Sequence, residues 1–132
     1  MYQDITSYEL ACKAEGIDPI ASIPFQNPAD HNQVAVNSFA KSIIVRRALN
    51  RKEDASEWKP NWQNYNEKKW GIVWDMDAER QPSGFGFRYS CYGYAYAFTY
   101  LGSRQRFRTD AIAKHYVKYF TELDRDVMVI PE

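Results

Sequence analysis

The sequence predicts a single α+β domain: an antiparallel sheet of three to four strands, two long helices packed on its aromatic face, and a short N-terminal helix. Three observations carry that prediction. Trp70, Ile72 and Trp74, then Phe85, Phe87 and Tyr89, then Tyr94, Tyr96, Phe98 and Tyr100 recur at every second position, the spacing at which strand side chains return to one face. The opposite parity holds Gly71, Val73, Gly86, Arg88, Ala95, Ala97 and Thr99, which are mostly small. Two other stretches, 30–52 and 109–126, repeat apolar residues at intervals of three and four, as amphipathic helices do. Short turn-rich connections between the strands favour a meander over parallel crossovers.

Taken in order, residues 1–29 are expected to form a short helix and a proline-containing linker. Thr6 and Glu9 have capping-box spacing, and Gly16 supplies a stop, so the helix is placed at Ser7–Glu15. Pro19, Pro24 and Pro28 then break helical runs, with Ile20, Ile23 and Phe25 expected to tack the linker to the core. The long helix at 30–52 starts at Asp30 as N-cap, and its apolar stripe is read as Val36, Phe39, Ala40, Ile43, Ile44 and Ala48. Arg46 and Arg47 read as solvated edge residues. An aromatic sheet is expected over 58–108. Trp58 and Trp62 flank Pro60 and clamp a loop; strands follow at Lys69–Met76, Phe85–Tyr89, Tyr94–Leu101 and, after Gly102-Ser103, around Gln105–Arg108. Thr109 caps the C-terminal helix at 109–126, whose stripe is Ile112, Tyr116, Tyr119, Phe120 and Leu123. The apolar tail Val127–Ile130 either adds a strand or folds back.

Composition narrows the function classes. The 132 residues are 45% hydrophobic and 16% aromatic, which marks a globular chain able to bury a core of its own. Lysine plus arginine equals aspartate plus glutamate at 17 each, so no bulk field draws in a polyanion. The charges are unevenly placed: residues 1–30 set Lys13 against five acids, residues 31–52 carry five cations and no acid, and residues 104–118 set five cations against Asp110. Cys12 and Cys91 read as reduced thiols, since two cysteines make no disulfide framework. No signal-like start and no apolar run of spanning length is visible, so the chain is expected to be cytoplasmic, with no membrane partner.

Each candidate for chemistry has a plainer alternative. Pro82-Ser83-Gly84-Phe85-Gly86-Phe87 has the glycines of a phosphate loop, but an aromatic strand follows where such a loop needs a helix, and a hairpin turn explains it. His31 and His115 lack a cysteine or histidine at ligand spacing, so no metal and no cofactor is expected. Asp75, Asp77 and Glu79 form the compact acidic cluster that an enzyme would need, and at a strand end it reads as polar termination. Arg88, Arg104, Arg106 and Arg108 beside Tyr92 and Tyr94 have the composition of a single-stranded nucleic-acid surface, where bases stack on rings and guanidinium groups meet phosphates. The same aromatics are wanted by the core.

The segments Ala11-Cys12-Lys13-Ala14-Glu15-Gly16-Ile17-Asp18-Pro19, Trp58-Lys59-Pro60-Asn61-Trp62, Ser83-Gly84-Phe85-Gly86-Phe87 and Gly102-Ser103-Arg104 with Phe107, taken in order, resemble small proteins carried by phages and mobile elements of gut Bacteroidales. The resemblance spans most of the chain. It implies a prokaryotic mobile-element (prophage) setting and carries over no activity and no site residue. The Arg104-Gln105-Arg106-Phe107-Arg108 run is more basic than the pattern it is compared with, which leaves the partner open. Together these readings favour a non-enzymatic accessory protein acting through protein contacts, with a protein partner or as a homodimer; nucleic-acid binding is the alternative.

Overall fold

The structure, a computed structural model, describes residues 1–77, 79–81, 84–92 and 99–131. A 3₁₀ turn at Tyr2–Asp4 leads to α1 (Tyr8–Glu15) and α2 (His31–Leu49); β1 (Gly71–Asp75) and β2 (Gly86–Cys91) form an antiparallel pair; a 3₁₀ turn at Ser103–Gln105 precedes α3 (Asp110–Met128). The class is α+β as expected, and α2, α3 and one side of the hairpin enclose the core.

The helix ends follow from capping chemistry. Asp30 and Thr109 accept hydrogen bonds from the backbone N–H groups of Gln33 and Ile112, as their side chains dictate. At α1 the cap is Ser7, one residue beyond the predicted Thr6, because the Ser7 hydroxyl reaches Leu10 N at 3.2 Å. Gly16 closes α1 at φ 70°, the left-handed conformation open to glycine without a Cβ penalty. The linker is held by polar bonds more than by the expected isoleucines. Asn37 accepts from Phe25 N at 2.9 Å and donates to Phe25 O at 2.7 Å, while Ile20 stands exposed.

The face of α2 is rotated from the predicted one. Its buried residues are Asn37, Ser38, Ser42, Val45, Arg46, Ala48 and Leu49, so of the expected stripe Ala48 alone is fully buried. Val36 is 47% and Phe39 37% exposed. Ser38, Ser42, Arg46 and Asn50 lie four residues apart, hence on one side of the helix, and each has a partner there. Ser38 bonds Asp126, Ser42 its own helix at Phe39 O, Arg46 both Tyr116 and Asp124, and Asn50 the backbone of Arg106 and Arg108. Hydrogen-bonded buried polar groups cost little, and apart from Arg46 Nε, which has no partner among the described residues, this row is bonded and faces inward among Val45 and Leu49.

Two strands are present among the described residues, where three to four were expected. The predicted fourth is a 3₁₀ turn followed by one isolated bridge, Trp70 to Phe107, with reciprocal backbone bonds of 3.0 and 2.8 Å. Tyr94, Tyr96 and Phe98 of the predicted third strand lie outside the described residues. In the hairpin, Val73 faces Tyr89 but Trp74 faces Phe87, so Arg88 is the extra residue of a bulge. Val73 and Trp74 point to opposite faces, and the bulge therefore sends Phe87 inward and Tyr89 outward, breaking the expected Phe85-Phe87-Tyr89 row. Trp74 stacks on Phe85 at 4.8 Å and meets Phe87 edge-on at 6.5 Å; Trp70, Trp74 and Phe87 pack on the core from the sheet side. Strand β2 also runs on through Ser90 and Cys91, where a break was expected.

α3 keeps most of its predicted stripe: Ile112, Tyr116 and Phe120 are buried, Leu123 packs at the core edge and Tyr119 is exposed. It extends to Met128, absorbing the start of the apolar tail.

Candidate binding cleft

Three segments meet beside the open side of α2. Ile43, Arg46, Arg47 and Asn50 of α2 form one wall, the Glu57–Pro60 loop a second and Ser103–Arg104 a third, enclosing a cleft of about 400 Å³. The loop is fastened by Trp62, whose indole N–H donates to the Ser103 hydroxyl at 2.8 Å. Lys69 is wholly buried nearby: its ammonium donates to the carbonyls of Asn64 and Glu67 and lies 5.3 Å from the Trp62 ring. That leaves half-buried Trp58 and Pro60 as the apolar lining opposite Ile43.

The cations of the cleft differ in how they are engaged. Arg46 is 5% exposed and belongs to the core. It donates to Asp124 at 2.8 Å and to the Tyr116 hydroxyl at 3.0 Å, with its guanidinium 4.2 Å from the Tyr116 ring centroid. Asp124 also accepts from Tyr116 at 2.6 Å and from the Trp74 indole at 2.9 Å. Burial works against the Arg46 charge, but Tyr116 and Asp124 outweigh it and hold the guanidinium pKa above its ordinary value. Burial pushes the Tyr116 phenol well above its own. Arg47 pairs with Glu15, which it shares with Arg51, and the Glu15 side chain is nearly inaccessible. Burial alone would raise the Glu15 pKa; the hydrogen bonds from Arg51 and Arg47 prevail and lower it. Lys59 and Arg104 are exposed and make no ion pair or hydrogen bond among the described residues, and Glu57 is the one carboxylate of the lining.

The residues singled out in the sequence are dispersed. Arg88 approaches Asp75 at 3.8 Å. Arg106 is buried beneath the sheet end, donating to Lys69 O and Thr99 Oγ1, and burial lowers its pKa. Arg108 caps the C-terminal end of α2, donating to the carbonyls of Asn50 and Arg51 and to Glu53. Arg104 is the member that lines the cleft. Tyr92 lies against Trp70 and carries the Lys68 ammonium over its ring; Tyr94 lies outside the described residues. Asp75 and Asp77 both hold Arg80, whose hydrogen bonds keep the Asp75 carboxyl at about 2, while Glu79 is exposed. His115 bonds Ile5 O at 2.7 Å between Tyr2 and Tyr119, and His31 is exposed. Cys12 and Cys91 are free thiols. Among the described residues no three His, Cys, Asp or Glu side chains gather to hold a metal, and no helix is long and apolar enough to cross a membrane.

Sequence reasoning missed Arg47, Lys59 and Trp58 as companions of Arg104. Their positions span more than fifty residues, and the one signal available was the basic run in 31–52 followed by Trp58-Lys59-Pro60. No protein-family model matches the chain, and no curated protein or solved structure matches it either.

Proposed function

We propose that the chain is a non-enzymatic binding protein that acts through contact with a protein partner in the cytoplasm of a prokaryotic host, in the mobile-element setting that the resemblance implies. The observation that carries this reading is the orientation of α2. Val36, Phe39 and Ile43 follow at helical spacing on its open side and run into the cleft, while Asn37, Ser38, Ser42 and Arg46 are enclosed alongside Val45, Ala48 and Leu49. Apolar residues left outside while polar ones are enclosed are the pattern of a surface that is covered in a complex.

The test pairs a partner screen with a stability control. Products of genes neighbouring the coding sequence are co-expressed one at a time with the tagged chain and with its Val36→Ser/Phe39→Ser variant, and the chain alone is run in sedimentation velocity. The expected result is a complex, or a homodimer, that the variant loses. Its melting temperature should stay close to that of the parent, because exposed positions change stability by roughly 0.5 kcal/mol. A complex indifferent to both substitutions removes the reading. So does a variant that melts early, since those side chains would then belong to the core. Nucleic-acid binding stays as the second reading on one observation, the unpaired Lys59 and Arg104 beside Trp58.

A further inference from the structure

The geometry points to the cleft between α2, the Glu57–Pro60 loop and Arg104 as the docking site for an acidic peptide segment of the partner, one that places an apolar side chain against Trp58, Pro60 and Ile43 and carboxylates against Lys59 and Arg104. This assignment rests on the contact reading of α2 and names the chemistry of what is bound. Its volume of about 400 Å³ lies within the roughly 300–1,000 Å³ of ordinary ligand clefts.

Charge decides the class. Arg46 is already neutralised by Asp124, and the Arg47 Nε by Glu15 at 2.5 Å. Lys59 and Arg104 have no such partner, and they face a single lining carboxylate, Glu57. Unpaired cations at the rim of an apolar hollow favour an occupant that is acidic at its edges and apolar at its centre. Trp58 gives that occupant an anchor: it is half-buried, its indole N–H has no partner among the described residues, and aromatic residues with arginine dominate such contacts. The apolar path does not end at the cleft, since Phe39 and Val36 continue it one and two turns back along α2. A peptide can follow such a strip with further apolar side chains. Single-stranded nucleic acid fits less well, because the lining offers one ring for stacking, while Arg88, Arg106 and Arg108 are engaged on Asp75, on Lys69 O and Thr99, and on the end of α2.

A displayed library of random dodecapeptides, panned on the immobilised full chain, tests this directly. The expected outcome is enrichment of sequences with excess Asp and Glu around an apolar residue. Their affinity should fall roughly tenfold in the Lys59→Glu/Arg104→Glu variant and weaken with added salt, and binding should shift the tryptophan emission in the parent but not in Trp58→Phe. Lys59→Gln/Arg104→Gln, which removes charge without reversing it, serves if the reversed variant folds poorly. Enriched peptides that lack acidic bias, survive the charge variants and are lost in Val36→Ser/Phe39→Ser overturn the acidic class and leave the contact face standing. No enrichment overturns the acidic-peptide assignment, and the contact face is then decided by the co-expression and sedimentation test alone. Oligothymidylate that binds with the same dependence on Lys59 and Arg104 and competes with the peptides assigns the cleft to nucleic acid instead. Salt-sensitive self-association lost in the charge variant makes a second copy of this chain the occupant, against a separate partner.

Discussion

Arg46 shows how a single residue settles the pose of α2. Its guanidinium lies against both the Tyr116 and Phe107 rings, and Asp124 receives hydrogen bonds from Arg46, Tyr116 and Trp74. Removing one partner of a buried ion pair leaves the other charged and unsolvated, which costs about 3–5 kcal/mol. Arg46→Met is therefore expected to lower stability by that order in chemical denaturation, and Arg47→Met, whose carboxylate Glu15 keeps Arg51, by about 1 kcal/mol or less. Pairing Arg46→Met with Asp124→Leu should recover much of the loss, because no orphaned charge then remains. Equal effects of the two arginine substitutions would mean that the buried pair does not fix the helix. Nothing in the sequence separates Arg46 from Arg47: adjacent arginines after an Ile-Ile-Val run look alike until Tyr116 and Asp124 are brought in from α3, seventy and seventy-eight positions away.

At the level of elements, the helices were legible because their signals are local. Asp30, Thr109 and Gly16 mark their own ends, and the α3 stripe is apolar on one side only. The buried side of α2 was not legible, since it has apolar residues on both sides and its inward row, Ser38, Ser42, Arg46 and Asn50, is polar; only partners distant in sequence reveal which side is enclosed. Parity in the sheet failed for a similar reason, one extra residue at Arg88 inverting the facing of Tyr89. The candidate cleft is a product of the same assembly, its walls drawn from residues 43–50, 57–60 and 103–104. Close packing where β1 begins yields a sharper expectation. A Cβ on Gly71 would stand 2.8 Å from Leu101 Cδ1 and 2.9 Å from Arg106 Nη1. Arg106 Nη1 is committed to Lys69 O at 3.0 Å and its Nε has no partner among the described residues, so the guanidinium has nowhere better to go. Gly71→Ala should cost about 1–3 kcal/mol, read as a lowered denaturation midpoint with an unchanged slope. An unchanged midpoint would show that Leu101 and Arg106 yield freely.

For the molecule as a whole, buried titratable groups define a window of pH in which the fold holds. On the acid side Glu15 is lowered, the arginine bonds prevailing over burial, and Asp75 is held at about 2 by Arg80 and the Asp77 backbone N–H, against an ordinary 3.8. Carboxylates with depressed folded values add stability that is complete above their unfolded pKa and fades as pH falls towards the folded one. Arg80 is solvent-accessible, so the contribution at Asp75 is screened and should shrink further with salt. On the alkaline side the sign reverses. Tyr116 is raised well above 10.0, first by burial and then by Asp124, against the opposing pull of Arg46. A group whose folded pKa is raised gives stability that is fully present below its unfolded value, here 10.0, and is lost as pH climbs beyond it. Tyr116 and Tyr8, which burial also raises, should therefore stay protonated well beyond that value. Followed by tyrosinate absorbance, the alkaline titration should rise in two stages, the second coinciding with loss of the far-ultraviolet helix signal. In Tyr116→Phe the second stage should lose amplitude, and Arg46 would retain Asp124 as its partner. A single smooth titration with helicity intact would show that water reaches the Tyr116 hydroxyl, and the enclosed Arg46–Tyr116–Asp124–Trp74 cluster would then not be what clamps α2 to α3 and the hairpin.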